Sequence, residues 1–307
     1  MRKVALLALL LPVLSGAPQR PKILGVAHIA FYVSDLDKTR AFWTDFLGYQ
    51  ECFNLNRETD NTVRIAFIKI NDYQYVELFA EKPRAGQMLN HISLYTDNAE
   101  AMRDYLAAKG VKVPAEASKG RTGNKNYNIT DPDGNIIEMV EYQPDSWTAR
   151  DKGMFLPATR ISNHIAHVGV SVRAIEPAMD FYHGILGFNE FWRGTRGPLL
   201  SWINMRVPDG QDYVEFMLYD TLPPPEKRGS RNHLSLTVPD ALKAIEILKA
   251  RPAFKNYGRE LKVQIGVNQK RQVNIYDPDG SRVELMEPNT ITGKPAPSSM
   301  APPPRMK

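Results

Sequence analysis

The same punctuated plan occurs twice along this chain, and that repetition restricts the fold more than any other feature. DPDGNIIEMVE at Asp131–Glu141 returns as DPDGSRVELME at Asp277–Glu287, and NHISL from Asn90 returns as NHLSL from Asn232. AHIAFYV from Ala27 matches AHVGVSV from Ala166, and YVELF from Tyr75 matches YVEFM from Tyr213. In each half a helix-like stretch ends at a glycine 20 residues after the first histidine, at Gly48 and Gly187. Repeats that keep their order and their turn residues are copies of one folding unit. At 307 residues, two domains are also what a domain size of roughly 100 to 200 residues suggests.

The ends of the chain read differently from its middle. Arg2 and Lys3 precede an apolar run, Val4 to Leu14, followed by Ser15, Gly16 and Ala17. This is the pattern of a secretory leader over residues 1–17, and the run is too short for a helix of roughly 20 residues that spans a bilayer. Export, with no membrane attachment after cleavage, is the expectation. Cys52 is the single cysteine, so neither an internal disulfide nor a thiolate zinc cluster can form. The formal charge of +5 includes Arg2 and Lys3, and the remaining excess is too small and scattered for a nucleic-acid partner. Residues 24–143 and 161–288 are expected as domains, with 144–160 as linker. The Pro-rich tail, 289–307, has too few apolar residues to order itself.

Within each half, a strand leads to a helix and then to further strands, twice over. Ser34 and Asp35 offer N-caps to a stripe of Leu36, Phe42, Trp43, Phe46 and Leu47 that stops at Gly48. Pro177 suits a first helical turn, continued by Met179, Phe181, Tyr182, Ile185 and Leu186. Shorter helices are expected at Ala99–Lys109 and Asp240–Ala250. The count is four βαβββ units. Read with its motifs, this arrangement resembles the vicinal oxygen chelate superfamily, which includes glyoxalase I, bleomycin-resistance proteins and extradiol dioxygenases. The resemblance covers Leu24 to Tyr142 and Ile161 to Pro288. It implies an α+β fold of two fused glyoxalase-like domains, whose mixed sheets curl into cups around a divalent metal.

Strand parity picks out the chemistry independently, because alternate side chains share a face. Ala27, Ile29, Phe31 and Val33 form one apolar set, which leaves His28 on the other side. His91, His167 and His233 oppose apolar neighbours in the same way, as do Glu77, Glu138, Glu215 and Glu284. One strand histidine says little by itself. Four candidate ligands recur in the same order in both halves, at spacings of 49, 14 and 47 residues and then 48, 18 and 51. His164 has no counterpart in the first half and reads as structural. Two imidazoles with two carboxylates suit Zn²⁺, Ni²⁺, Co²⁺, Mn²⁺ or Fe²⁺, with one or two ions per chain. Pairing within halves groups His28, Glu77, His91 and Glu138 apart from His167, Glu215, His233 and Glu284. Pairing across them remains an alternative on sequence grounds.

The resemblance to glyoxalase I implies that Glu138 and Glu284 move the proton, beside an ion acting as Lewis acid toward an enediolate or enolate. A lyase or isomerase acting on a small oxygenated molecule is then expected. Glutathione is a poor fit as co-substrate, since the places where bacterial glyoxalase I has Arg and Asn hold Tyr32 and Glu81, then Ser171 and Tyr219. An Fe²⁺ extradiol dioxygenase is the alternative, although Gln272, Asn274 and Tyr276 precede Asp277 without the histidine that chemistry needs. A binding protein without turnover is the third reading, with Tyr32, Tyr75, Phe79 and Tyr95 lining one cup and Arg173 offering the second an anion contact.

Overall fold

The computed structural model describes residues 19–82, 87–173 and 175–304. The leader expected over residues 1–17 lies outside them. In the first half the strands are β1 (Ile23–Tyr32), β2 (Gln50–Asn56), β3 (Val63–Lys69), β4 (Tyr75–Phe79), β5 (Leu89–Thr96), β6 (Ser118–Lys119), β7 (Lys125–Thr130) and β8 (Ile136–Glu141). The second half repeats them as β9 (Ile165–Val172), β10 (Asn189–Thr195), β11 (Leu200–Arg206), β12 (Tyr213–Leu218), β13 (His233–Thr237), β14 (Val263–Ile265), β15 (Lys270–Tyr276) and β16 (Arg282–Thr290). The two mixed sheets have equivalent orders, β2-β3-β4-β1-β5-β8-β7-β6 and β10-β11-β12-β9-β13-β16-β15-β14. Each sheet draws its strands from one half of the chain, so the units do not exchange across the duplication.

The helices explain which face of each sheet is left open. Asp35, Asn98 and Asp240 cap theirs by accepting a hydrogen bond from the backbone N–H three residues on, at 3.1, 2.9 and 2.9 Å, which satisfies a donor the first turn would otherwise leave unpaired. The helices lie against Ile29, Phe31, Val33 and their equivalents Val168, Val170 and Val172, and one apolar core runs through both halves. The opposite face therefore carries the polar residues at the alternate positions.

The first helix of each half is not the uniform stripe expected. Leu36–Ala41 and Ile175–Met179 are α-helical, but Phe42–Phe46 and Asp180–Ile185 widen into π turns. The N–H of Leu47 reaches back five residues to Phe42, and Leu186 does the same to Phe181. The wider turn lets Phe42, Trp43 and Phe46 all be buried, and Gly48, at φ +78°, then ends the helix in the left-handed region that a residue without Cβ enters freely.

The halves meet through reciprocal contacts. Asp279, in the second DPDG turn, accepts from the backbone N–H of Ser34, while Asp133, in the first, accepts from that of Arg173. Beside β1 and β9, buried Asp212 accepts from Val26 N–H at 2.9 Å, from the Gln74 amide at 3.1 Å and from the His164 ring at 2.7 Å. His164 is thus a structural residue of this junction.

The segment expected as a linker carries a short helix, Trp147–Arg150, whose Trp147 ring meets Phe53. The tail also departs from expectation. Ser299 donates to the Arg193 carbonyl on β10, and Pro302 accepts from Leu200 N–H on β11, both at 2.9 Å. Backbone pairing to the edge of a sheet needs no apolar side chains, and that is why composition did not reveal it.

Candidate metal centres

Parity on β1, β4, β5 and β8 brings His28, Glu77, His91 and Glu138 to one point inside the first cup. The Nε2 atoms of His28 and His91 are 2.9 Å apart. Glu77 reaches His28 at 3.4 Å and His91 at 3.9 Å, and Glu138 reaches them at 3.6 and 3.8 Å. In the second cup β9, β12, β13 and β16 do the same: His167 and His233 are 3.1 Å apart, Glu284 lies 3.5 Å from His167, and Glu215 lies 3.4 Å from His233. All eight residues fall where strand alternation puts them, four to a cup and within their own half.

The spacing can be tested against the size of an ion. Two ligands about 2.1 Å from a shared centre lie about 3.0 Å apart at a right angle and about 3.4 Å apart at the tetrahedral angle. The observed separations of 2.9 to 3.9 Å sit at or slightly beyond these values. Two compact trios, His28 with Glu77 and His91, and His167 with Glu215 and His233, offer ligand atoms within 4.8 Å of one another. They are two possible metal-binding sites, and each has a further glutamate at its edge.

Burial sets the protonation of these groups. Both histidines of the first cup are 5% exposed. Desolvation, with the neighbouring His91, holds the His28 pKa well below its usual value, and desolvation lowers His91 to about 4. His167 and His233 are lowered to about 3, again chiefly by burial. Neutral imidazoles are the form that binds metal. Burial pushes the carboxyls the other way: Glu138 rises to about 8, Glu77 rises well above the carboxylate range with Glu138 adding to the effect, and Glu284 rises too. Without an ion beside them, these acids tend to keep their protons.

The cups differ beyond their candidate ligands. The first, with a cavity of about 360 Å³, has an apolar wall that includes Tyr32, Phe53, Phe67, Tyr75 and Phe79. Tyr95, expected there, is instead outside the lining, stacked on Tyr73 and packed at a tilt against Tyr142, which does line the cup. The second, about 440 Å³, is lined by Trp192, Trp202, Arg196, Arg282 and several carboxamides. Arg173, expected to face this cup, lies at the junction with Asp133, 3.8 Å away. Sequence reasoning missed Arg282, although it stands two residues before Glu284 and so on the same face. It also missed Gly169, whose bare backbone makes room for the His233 ring.

Comparison with known proteins agrees with this architecture. The model of the Glyoxalase/Bleomycin resistance protein/Dioxygenase superfamily matches residues 25–139 and again 164–285. A probable lactoylglutathione lyase of Vibrio parahaemolyticus is 30% identical over 125 residues, 38% of this chain and 89% of its own. An uncharacterized Escherichia coli protein, YaeR, is 26% identical over 123 residues, 38% of this chain and 95% of its own. Among solved structures, the Mn(II)-bound glyoxalase of Novosphingobium aromaticivorans superposes with a TM-score of 0.64 at 17% identity, covering 87% of this chain and 83% of that one. The 2,3-dioxygenase LapB of Pseudomonas sp. KL28 gives 0.64 at 17% identity over 88% and 93%. At such identities these likenesses concern the fold alone. With both halves matched across most of their length, the chain belongs to the Glyoxalase/Bleomycin resistance protein/Dioxygenase superfamily.

Proposed function

We propose that this protein is a divalent-metal-dependent enzyme of the lyase or isomerase type, acting on a small oxygenated substrate by moving a proton. The observation that carries this reading is the recurrence, in both cups, of two neutral buried imidazoles and one glutamate as a compact trio with a second glutamate beside it. His28, Glu77 and His91 would hold one ion, and His167, Glu215 and His233 the other. When bound, such an ion supplies Lewis acidity next to an oxygen that gains negative charge.

The chain's own groups do the rest. Glu138 Oε1 is held by the Ser93 hydroxyl, which donates to it at 3.3 Å, and its pKa of about 8 suits a group that must take and return a proton near neutral pH. The aromatic wall of the first cup offers an apolar surface to the body of a substrate. Glu284 is placed alike in the second cup. Support for a lyase comes from the probable lactoylglutathione lyase among the relatives. Glutathione itself is disfavoured by Tyr32 and Glu81 in the first cup and by Ser171 and Tyr219 in the second half.

Elemental analysis of the purified protein tests the metal, and hydrogen exchange tests the chemistry. Two divalent ions per chain are expected. With Mn²⁺ bound, exchange of the carbon-bound protons of dihydroxyacetone in D₂O should be accelerated, and Glu138→Gln together with Glu284→Gln should abolish that while retaining the ions. Metal-free protein after reconstitution, or unchanged exchange in the double variant, defeats the reading. Oxygen uptake with catechol and Fe²⁺ would replace it with ring cleavage.

A further inference from the structure

Duplication gave the two cups the same ligands, but the position facing the second histidine has changed its chemistry. In the first cup that position on β8 is Ile136. In the second it is Arg282, paired in register with His233 across β13 and β16. Its guanidinium Nη2 lies 2.6 Å from Nδ1 of His233, the same atom that faces the Arg231 carbonyl at 2.9 Å. A ring nitrogen that donates to that carbonyl has no lone pair left for arginine. The Nε–H of Arg282 is buried without any acceptor, and Arg282 forms no ion pair among the described residues. A buried guanidinium donor left unmatched is costly, and the side chain that carries it lines the cavity.

The surroundings point the same way. Arg196, which also lines this cup, has its guanidinium 5.7 Å from the centre of the Trp202 ring, and the Trp192 indole N–H is buried without an acceptor. The arginines of the first cup are already committed: Arg64 bonds Glu81 at 2.9 Å and Arg121 bonds the Asn56 carbonyl at 2.8 Å. Both cups present rings, but the second adds a guanidinium that no carboxylate pairs within salt-bridge distance among the described residues.

We propose that the second cup is an anion-recognition site in which Arg282 binds a carboxylate of the ligand, so that the two cups of one chain take different chemical classes: an apolar body in the first and a small carboxylate in the second. The inference rests on reading each cup as a substrate site and on nothing about which ion is bound. A planar carboxylate matches the fork of a guanidinium with two parallel hydrogen bonds, and Glu215 and Glu284 leave no room for an anion there unless that fork offsets them.

The chain supplies its own reporter, because Trp192 and Trp202 line this cup while Trp43 and Trp147 do not. Oxalate titrated into the full protein, both metal-free and saturated with Mn²⁺, should change tryptophan emission. Arg282→Ile, which installs the residue of the first cup, should weaken oxalate at least tenfold in either condition, and Arg282→Lys should restore part of the loss and so exclude misfolding as its cause. Oxalate bound equally by wild type and Arg282→Ile, or not bound at all, overturns the inference. Arg282-dependent binding in a protein that takes up no metal would uphold it while defeating the metal-enzyme reading.

Discussion

The ring of His233 lies over the bare backbone of Gly169, so close that a Cβ atom added there would sit 2.0 Å from Cε1 and 2.2 Å from Nδ1. The corresponding position in the first cup is Ala30, which is fully buried on β1 opposite His91. The two histidines, alike in sequence, therefore sit in differently shaped beds. Gly169→Ala should push the His233 imidazole aside and remove one ion of the two, while Ala30→Gly should leave both. Metal content after dialysis measures this, and an undiminished pair of ions in Gly169→Ala would show that the ring has another way to reach its place.

The metal-free protein should lose stability between pH 6.5 and 8. Glu138 rises from 4.5 to about 8 on folding, and Asp277 from 3.8 to about 7. A carboxyl raised in the folded state contributes stability below its unfolded pKa, and that contribution is lost as pH climbs through the folded value. The four lowered histidines act with the opposite sign, and only below about 6.5, where the unfolded chain takes up protons that the cups refuse. Melting temperatures of metal-free protein at pH 6.5 and 8 should therefore fall, and Glu138→Gln should flatten the decline. A rise over that interval contradicts the assignment.

Alternation and repetition made the eight candidate ligands legible in the sequence, because both fix which face of a strand a side chain takes. They do not fix how far along the strand the cavity extends. Tyr95 shares the face of His91, yet at about 3.3 Å per residue it stands about 13 Å further on, behind the lining residue Tyr142 and stacked on Tyr73. Arg173 is six residues past His167 and beyond the end of β9, so Asp133 of the other half meets it instead. Arg282 lay within reach of the same parity argument, being two residues from Glu284. Gly169 did not, since the need for a missing Cβ appears only when the ring above it has been placed.

Asp212 should be the most sensitive single residue at the junction of the halves. It accepts from a buried backbone N–H, from a buried amide and from an imidazole. Asp212→Ala strands the buried Val26 N–H, while the Gln74 amide keeps the Val26 and Ile165 carbonyls and water can reach the partly exposed His164 ring. The expected cost is therefore about 2 kcal/mol, within the range of about 1 to 3 kcal/mol for one unpaired buried group. Urea unfolding should show that loss. A change below about 0.5 kcal/mol would mean that water reaches the junction and replaces the carboxylate.

Metal uptake should release protons, and its affinity should rise with pH. Glu77 and Glu138 are held up by burial and, for Glu77, by the second carboxyl, so an ion arriving at neutral pH meets acids that still carry protons. Ligation needs the Glu77 proton gone, and a cation beside Glu138 favours its ionised form as well. Each proton displaced makes affinity climb about tenfold per pH unit, up to about pH 8, where Glu138 ionises unaided. Zn²⁺ titrated into weakly buffered protein at pH 7 should acidify the solution, with less acid released by Glu138→Gln, whose amide has no proton to give. The imidazoles contribute nothing to this signal because burial has already stripped their charge. Uptake of Zn²⁺ without acidification would place ionised carboxylates in the cups from the start, against the direction in which burial moves Glu77 and Glu138.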